Sequence, residues 1–147
     1  MAVSRKSVRK KLAELLQPVL ATLASDVLPY QPSKIGATPG VYIRSTSAVR
    51  PPLTVRGKFT KFAFDILILV LQADATASPP WTEDLAEDLL DDIEAAVCTT
   101  LTENRVVDGV WDSVEYSNPS TIESMREQDV PYRLEAIRIL VEVHRDA

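Results

Sequence analysis

Glycine is scarce in this chain, with four in 147 residues. Loops that cradle phosphate are built from glycine, and neither a GxxxxGK[ST] nor a GxGxxG spacing occurs, so no phosphate cradle is expected. Cys98 is the single cysteine and His144 the single histidine. One thiol cannot close an internal disulfide, which fits a reducing compartment. No imidazole lies upstream of Cys98 to activate it, so a small core or half-buried thiol is expected, not a nucleophile. A Ser-His-Asp arrangement would have to use His144 as its base; a lone histidine at a strand end near the C-terminus reads as a surface residue. Uninterrupted apolar runs of membrane-spanning length are also missing, so no membrane span is expected. A basic start at Arg5 to Lys11 precedes Leu12 to Leu28, but Glu14, Gln17, Pro18 and Asp26 make that a poor secretory core, and the N-terminus is read as mature structure.

What is present is an ordinary globular composition, 46% apolar and 25% charged, in a chain long enough for one domain with a real core. The formal net charge of −5 makes generic duplex-DNA binding an unexpected role. The charges are sorted into blocks. Arg5, Lys6, Arg9, Lys10 and Lys11 open the chain. From Val27 to Phe64 there is no acid, whereas Lys34, Arg44, Arg50, Arg56, Lys58 and Lys61 occur. From Phe62 to Asn104 there is no base, whereas Asp65, Asp74, Glu83, Asp84, Glu87, Asp88, Asp91, Asp92, Glu94 and Glu103 occur. Basic and acidic surfaces on one small protein attract copies of it head to tail, a property of ring and tube components.

The periodicities predict an α+β fold: a four-stranded, mainly antiparallel sheet packed with two main helices in the order α-β-β-α-β-β. Ser4 or Ser7 caps a first helix whose apolar stripe is Val8, Leu12, Leu15, Leu16, Val19, Leu20 and Leu23, with Pro18 expected to kink or divide it. Leu28 to Gly40, carrying Pro29, Pro32, Gly36, Pro39 and Gly40, reads as a long loop. Strands are expected over Val41 to Thr46 and Lys58 to Leu71. The second of these is apolar on both faces in its latter half, as in a central strand covered on both sides. Thr82 caps a second helix with a buried stripe of Leu85, Leu89, Ile93, Ala96, Val97 and Leu101. A strand through Val110, Asp112, Val114 and Tyr116 follows a turn at Asp108-Gly109. Thr121 to Gln128 reads as a loop or a single helical turn. In the last strand, Tyr132 to His144, the apolar parity switches near Ala136, which predicts either a β-bulge or a change of covering layer there.

Glu83, Asp84, Glu87, Asp88, Asp91 and Asp92 share one face of the second helix at i, i+4 spacing. Without a cationic neighbour such pairs repel by ~0.2–0.5 kcal/mol each. A straight helix strings carboxylates along a line and does not gather them around a point, so an acidic face is the better reading than a divalent-metal site or an acid–base pair. Lys34 to Lys61 combines cations with Tyr42 and Phe59, with Phe62 just beyond; two of these rings fall in a strongly apolar strand, which favours core over a single-stranded nucleic-acid platform.

Four segments, VRKKLAELLQPVLATL, GKFTKFAFDILILV after a proline-rich loop, EDLAEDLLDDIEAAVCTTL and the closing VPYRLEAIRILVEVHRD, span nearly the whole chain. In this order the chain resembles the tail terminator proteins of long-tailed, siphovirus-type phages; minor tail and neck proteins, and their relatives in gene transfer agents, look similar. The resemblance implies a non-enzymatic virion protein without cofactor or metal, located in the tail at its head-proximal end and assembled in the host cytoplasm. It implies a homo-hexameric ring that caps the tail tube, ends tube polymerisation and offers a surface to the head–tail connector or stopper protein, with DNA passing through the lumen without specific binding. A head–tail joining or minor tail protein is the alternative, and a small carboxylate-dependent enzyme a further one. A closed ring needs unlike patches that meet. Glu83, Asp84, Glu87, Asp88, Asp91 and Asp92 against Arg44, Arg50, Arg56, Lys58 and Lys61 are the candidates, or else the acidic face lines the lumen. Leu28 to Gly40, Thr46 to Gly57 and Ser117 to Pro131 are candidate arms toward tube or connector.

Overall fold

A computed structural model describes residues 3–50, 59–74, 76–117 and 119–144. The elements run α1 (Arg5–Val19), β1 (Asp26–Leu28), β2 (Gly40–Val49), β3 (Phe59–Leu71), α2 (Glu83–Glu103), β4 (Ser113–Tyr116), β5 (Thr121–Glu127) and β6 (Val130–His144). This is the expected α+β class. The sheet, however, has six strands instead of four, ordered β1-β2-β3-β6-β4 with β5 also on β6, and it is open, mixed and mostly antiparallel.

The α1 helix begins in a capping box. The Ser4 hydroxyl accepts from the Ser7 N–H at 3.1 Å, and the Ser7 hydroxyl accepts from the Ser4 N–H at 3.1 Å, so two otherwise orphaned donors are satisfied. Pro18 does not divide α1. It falls in the last turn, where one lost hydrogen bond costs least, and Leu20 N–H to Leu16 C=O at 2.9 Å closes the end. Thr82 caps α2 by accepting from Leu85 N–H at 3.3 Å. The far end of α2 is sealed by Trp111, whose indole N–H donates to Asn104 C=O at 2.9 Å.

The α2 helix is rotated from the expected stripe. Ala86, Leu90, Ile93, Val97, Thr100 and Leu101 are buried, whereas Leu85 is 40% exposed. Leucine counts equally at either phase; the packing against Val8, Leu12, Leu16, Phe64, Ile66 and Ile139 decides which face turns inward.

Both helices cover one face of the sheet. Phe62, Phe64, Ile66, Ile68 and Val70 of β3, with Ile137, Ile139, Val141 and Val143 of β6, point into that core. On the other face, Tyr42, Leu67 and Leu69 form a second, smaller cluster with Leu28, Ile35, Met125, Tyr132, Leu134 and Ala136. The parity switch in β6 therefore marks a change of covering layer and not a bulge. β6 keeps unbroken register against β3 from Tyr132 opposite Leu71 to His144 opposite Phe59.

The irregularities lie elsewhere. Thr46 of β2 is inserted between Ser45 and Ser47. Between β4 and β5, two more residues are spent than on β6: Tyr116 faces Ile139 and Thr121 faces Ala136. Thr121 to Glu127, expected as loop or helical turn, is strand β5, and it returns into β6 through the two-residue turn Gln128-Asp129, both at positive φ (51° and 64°). Ser117 to Pro131 is accordingly a sheet edge with a hairpin and not a free arm. Of Thr46 to Gly57, the first four residues belong to β2, and residues 51–58 lie outside those described.

β1 was not foreseen. It pairs in parallel with β2, Asp26 to Leu28 against Gly40 to Tyr42. A parallel neighbour cannot be reached by a tight turn, so the chain must cross the sheet to re-enter. Residues 29–39 make that crossing over the face opposite the helices, and this creates a wall there.

Candidate functional site

At the centre of the open face, one residue from each of three neighbouring strands stands in line. Register sets Arg44 of β2 opposite Asp65 of β3, and Asp65 opposite Arg138 of β6. Arg44 Nη2 lies 2.6 Å from Asp65 Oδ2; Arg138 grips the same carboxylate with Nε at 2.8 Å and Nη2 at 3.2 Å. Asp65 is buried, at 2% exposure, while both arginine side chains remain nearly half exposed. Burial alone would raise the Asp65 pKa. Hydrogen bonds from Arg138 and then Arg44, together with their charges, outweigh it and hold the carboxyl below its ordinary range. The same contact lifts the already high pKa of Arg138. Two cations share one anion, so the cluster keeps one net positive charge.

This cluster closes one end of a cavity of about 310 Å³. Its floor is Tyr42, Leu67, Leu69, Leu134 and Ala136; Gln31, Pro32 and Ile35 from the crossing loop make one wall, and Thr121, Glu123 and Met125 of β5 the other. The loop is pinned to β5 by the Ile35 N–H, which donates to Glu127 Oε2 at 3.2 Å. Gly40 is required here because a Cβ would collide with the Tyr42 hydroxyl. That hydroxyl is buried without a hydrogen-bond partner among the described residues, and burial, then the nearby Asp26, raises its pKa. The groove is thus apolar along its length, with guanidinium groups at one end and Glu123 on the β5 wall.

Of the residues expected to form an interface or lumen, Glu83, Asp84, Asp88, Asp91 and Asp92 are exposed on α2. They lie on the opposite side of the sheet from Arg44, since α2 packs on the face bearing Phe64 and Ile66. Glu87 departs from the expected unpaired row: Arg133 Nε reaches its Oε1 at 2.6 Å. Arg133 comes from β6, beyond the stretch in which bases are missing, and supplies the cationic neighbour that the helix itself lacks. Arg50 is exposed at the end of β2, and Lys61 is half-buried beside Val49 and Glu142. Arg56 and Lys58 lie outside the described residues. Lys61 stands four residues before Asp65 on β3 and so shares the face of the sheet that bears Arg44, which is paired with Asp65.

Reading the sequence missed Arg138, Asp65 and the groove itself. One signal was available: Asp65 stands alone among apolar residues from Phe62 to Leu71, and a charge in a central strand is retained only when paired. The partner side chains, separated from Asp65 by 21 and 73 positions, become visible only through strand register.

Other titratable groups sit between α2 and the sheet. Cys98 Sγ lies 3.2 Å from Glu94 Oε1; burial pushes the thiol up, and so does Glu94, against a hydrogen bond with Tyr116 that lowers it, and the net shift favours the protonated form. Tyr116 is likewise raised, by burial and then by Cys98. Glu135, at 5% exposure, is raised by burial and by the charges of Glu94 and Asp91, against a hydrogen bond from Ser120. Among the described residues, no group of three or more His, Cys, Asp or Glu side chains is arranged to hold a metal ion, and no helix is long and apolar enough to cross a membrane. His144 packs edge-on against Phe59, with ring centroids 5.2 Å apart.

A scan against protein-family models gives no match for this chain, and a search of curated proteins gives none either.

Proposed function

We propose that this chain is a structural subunit of a phage tail: a terminator that closes into a ring on the head-proximal end of the tail tube, ends tube growth and offers the surface to which the head connector attaches. The observation that carries the reading is the pairing of an acidic helix face with an arginine-flanked apolar groove on opposite sides of one thin sheet. A cyclic ring is built from heterologous contacts, in which one patch meets a different patch on the next copy, and unlike faces on either side of one sheet supply such a pair. Opposite potentials steer subunits into register. Exposed ion pairs contribute only ~0–1 kcal/mol each, so apolar contact must hold the ring. The groove offers apolar area of that kind, and the exposed Leu85, Val49, Tyr116 and Ile122 offer more. The resemblance in element order to tail terminators supplies the hexameric state, the tube and connector partners, and the passage of DNA through the lumen.

Electron microscopy of tails assembled without this protein tests the reading. Overlong, irregular tubes are the expected result. Tails of normal length that lack heads would replace termination with a head–tail joining role.

A further inference from the structure

We infer that the groove on the open sheet face is the socket for a second copy of this chain, and that the knob it receives is Leu85 with the carboxylates around it. The inference rests on the ring reading and specifies its contact.

Leu85 is a misfit on its own subunit. It lies in the first turn of a well-capped helix, yet it is 40% exposed, because α2 is rotated to bury Ala86 and Leu90 instead. Helical spacing surrounds it with acids. Asp84 precedes it, Asp88 lies at i+3 and Asp92 at i+7, all exposed. The result is an apolar knob in a field of negative charge. The socket has the complementary character: an apolar floor of Leu67, Leu69, Leu134 and Ala136, and the Arg44–Arg138 pair at one end. Those guanidinium groups are held by Asp65 yet remain nearly half exposed, so they keep N–H donors for an incoming carboxylate. Glu123 on the β5 wall gives the socket a polarity. It repels acids where it stands, so the carboxylates of the knob must lie toward the Arg44–Arg138 end. Knob and socket belong to opposite sides of the sheet, so a subunit cannot satisfy its own socket, and the contact is head to tail, which is the condition for a ring.

The test uses the 147-residue chain with Cys98→Ser to remove the native thiol. Leu85→Cys and Thr121→Cys are introduced together; both positions are exposed, and Thr121 lines the socket. A short bis-maleimide added to concentrated protein at low salt should give a ladder of covalent oligomers, which neither single-cysteine protein gives. In a separate protein, Leu85→Lys should weaken self-association roughly tenfold or more by sedimentation velocity, while Val106→Lys, at an exposed apolar position elsewhere, should leave it unchanged. Rings without a ladder, assembling as tightly with Leu85→Lys as without it, would overturn the socket, assign the groove to a different partner and leave the ring reading standing. A chain that stays monomeric at millimolar concentration and on tail tubes would overturn both.

Discussion

Asp65 and Arg138 meet fork to carboxylate across β3 and β6, with the two donor nitrogens of Arg138 at 2.8 and 3.2 Å from the two oxygens of Asp65. Arg44 approaches the same carboxylate from β2. The three strands at the centre of the sheet are therefore tied on the open face by charge, at the point where the apolar cluster of Tyr42, Leu67 and Leu69 ends.

Asp65→Asn should destabilise the protein by about 2–4 kcal/mol, because it leaves two guanidinium groups facing a neutral, buried amide. The sign of the pH dependence follows from the lowered pKa of Asp65. Its contribution is complete above the ordinary aspartate value and is lost as pH falls through the depressed folded value. Chemical denaturation at pH 7 and at successively lower pH should show the gap between native and Asp65→Asn proteins closing in acid. A constant gap would mean that the carboxylate charge is not what the arginines hold.

Glu135 has the opposite sign. Its carboxyl is buried against α2 with Glu94 and Asp91 nearby, and its folded pKa is raised. A raised acid costs stability above its folded pKa, and the cost disappears as pH falls to the unfolded value. Glu135→Gln keeps the shape and a partner for Ser120 and removes the charge. The variant should melt higher than the native protein at pH 8, with the advantage vanishing near pH 4. A lower melting temperature at pH 8 would show that the ionised form is stabilised by contacts beyond Ser120.

The contrast between these two carboxylates shows what a linear reading delivers. The α+β class, both helices and the long strands were legible because each buries a face at a regular period: α1 through Val8, Leu12 and Leu16, β3 through Phe64, Ile66 and Ile68. The acidic face of α2 was legible for the same reason. β1 and β5 were not. Asp26 to Leu28 is too short to show a period, and Thr121 to Glu127 buries no residue fully; both exist because a longer neighbour offers an unpaired edge. The groove was hidden because its parts come from a loop and four strands, and only register brings Arg44, Asp65 and Arg138 side by side. Of the expected α2 stripe, Ile93, Val97 and Leu101 are buried and Leu89 and Ala96 pack on the core, but Leu85 is exposed, because leucine at 85, 89 and 90 fits two helix rotations and only packing against α1 and the sheet decides between them.

Gln128-Asp129 is a local weakness. Both residues adopt left-handed backbone angles, with φ of 51° and 64°, in a two-residue turn of the kind that favours Asn-Gly. Gln128→Asn with Asp129→Gly should stabilise the protein by about 1 kcal/mol, since each non-glycine residue in this region carries a steric cost of that order. Thermal melting of the double variant checks this. An unchanged or lower melting temperature would indicate that the side chain of Gln128 or Asp129 makes a compensating contact.

Asp88→Lys with Asp92→Lys tests whether the acidic helix face takes part in assembly. Both side chains are exposed, so the fold should be indifferent to within about 0.5 kcal/mol. Replacing two anions by two cations beside Leu85 turns attraction toward Arg44 and Arg138 into repulsion. Surface charges act within a Debye length, about 10 Å at 0.1 M salt, so the defect should be largest at low ionic strength and shrink as salt is added. Native assembly should show the reverse, weakening as salt screens the attraction. Sedimentation of both proteins across a salt series separates the cases. If the lysine variant assembles like the native protein at every ionic strength, the acidic face lies away from the subunit contact, and the lumen becomes its better location, where like charge would keep passing DNA from adhering.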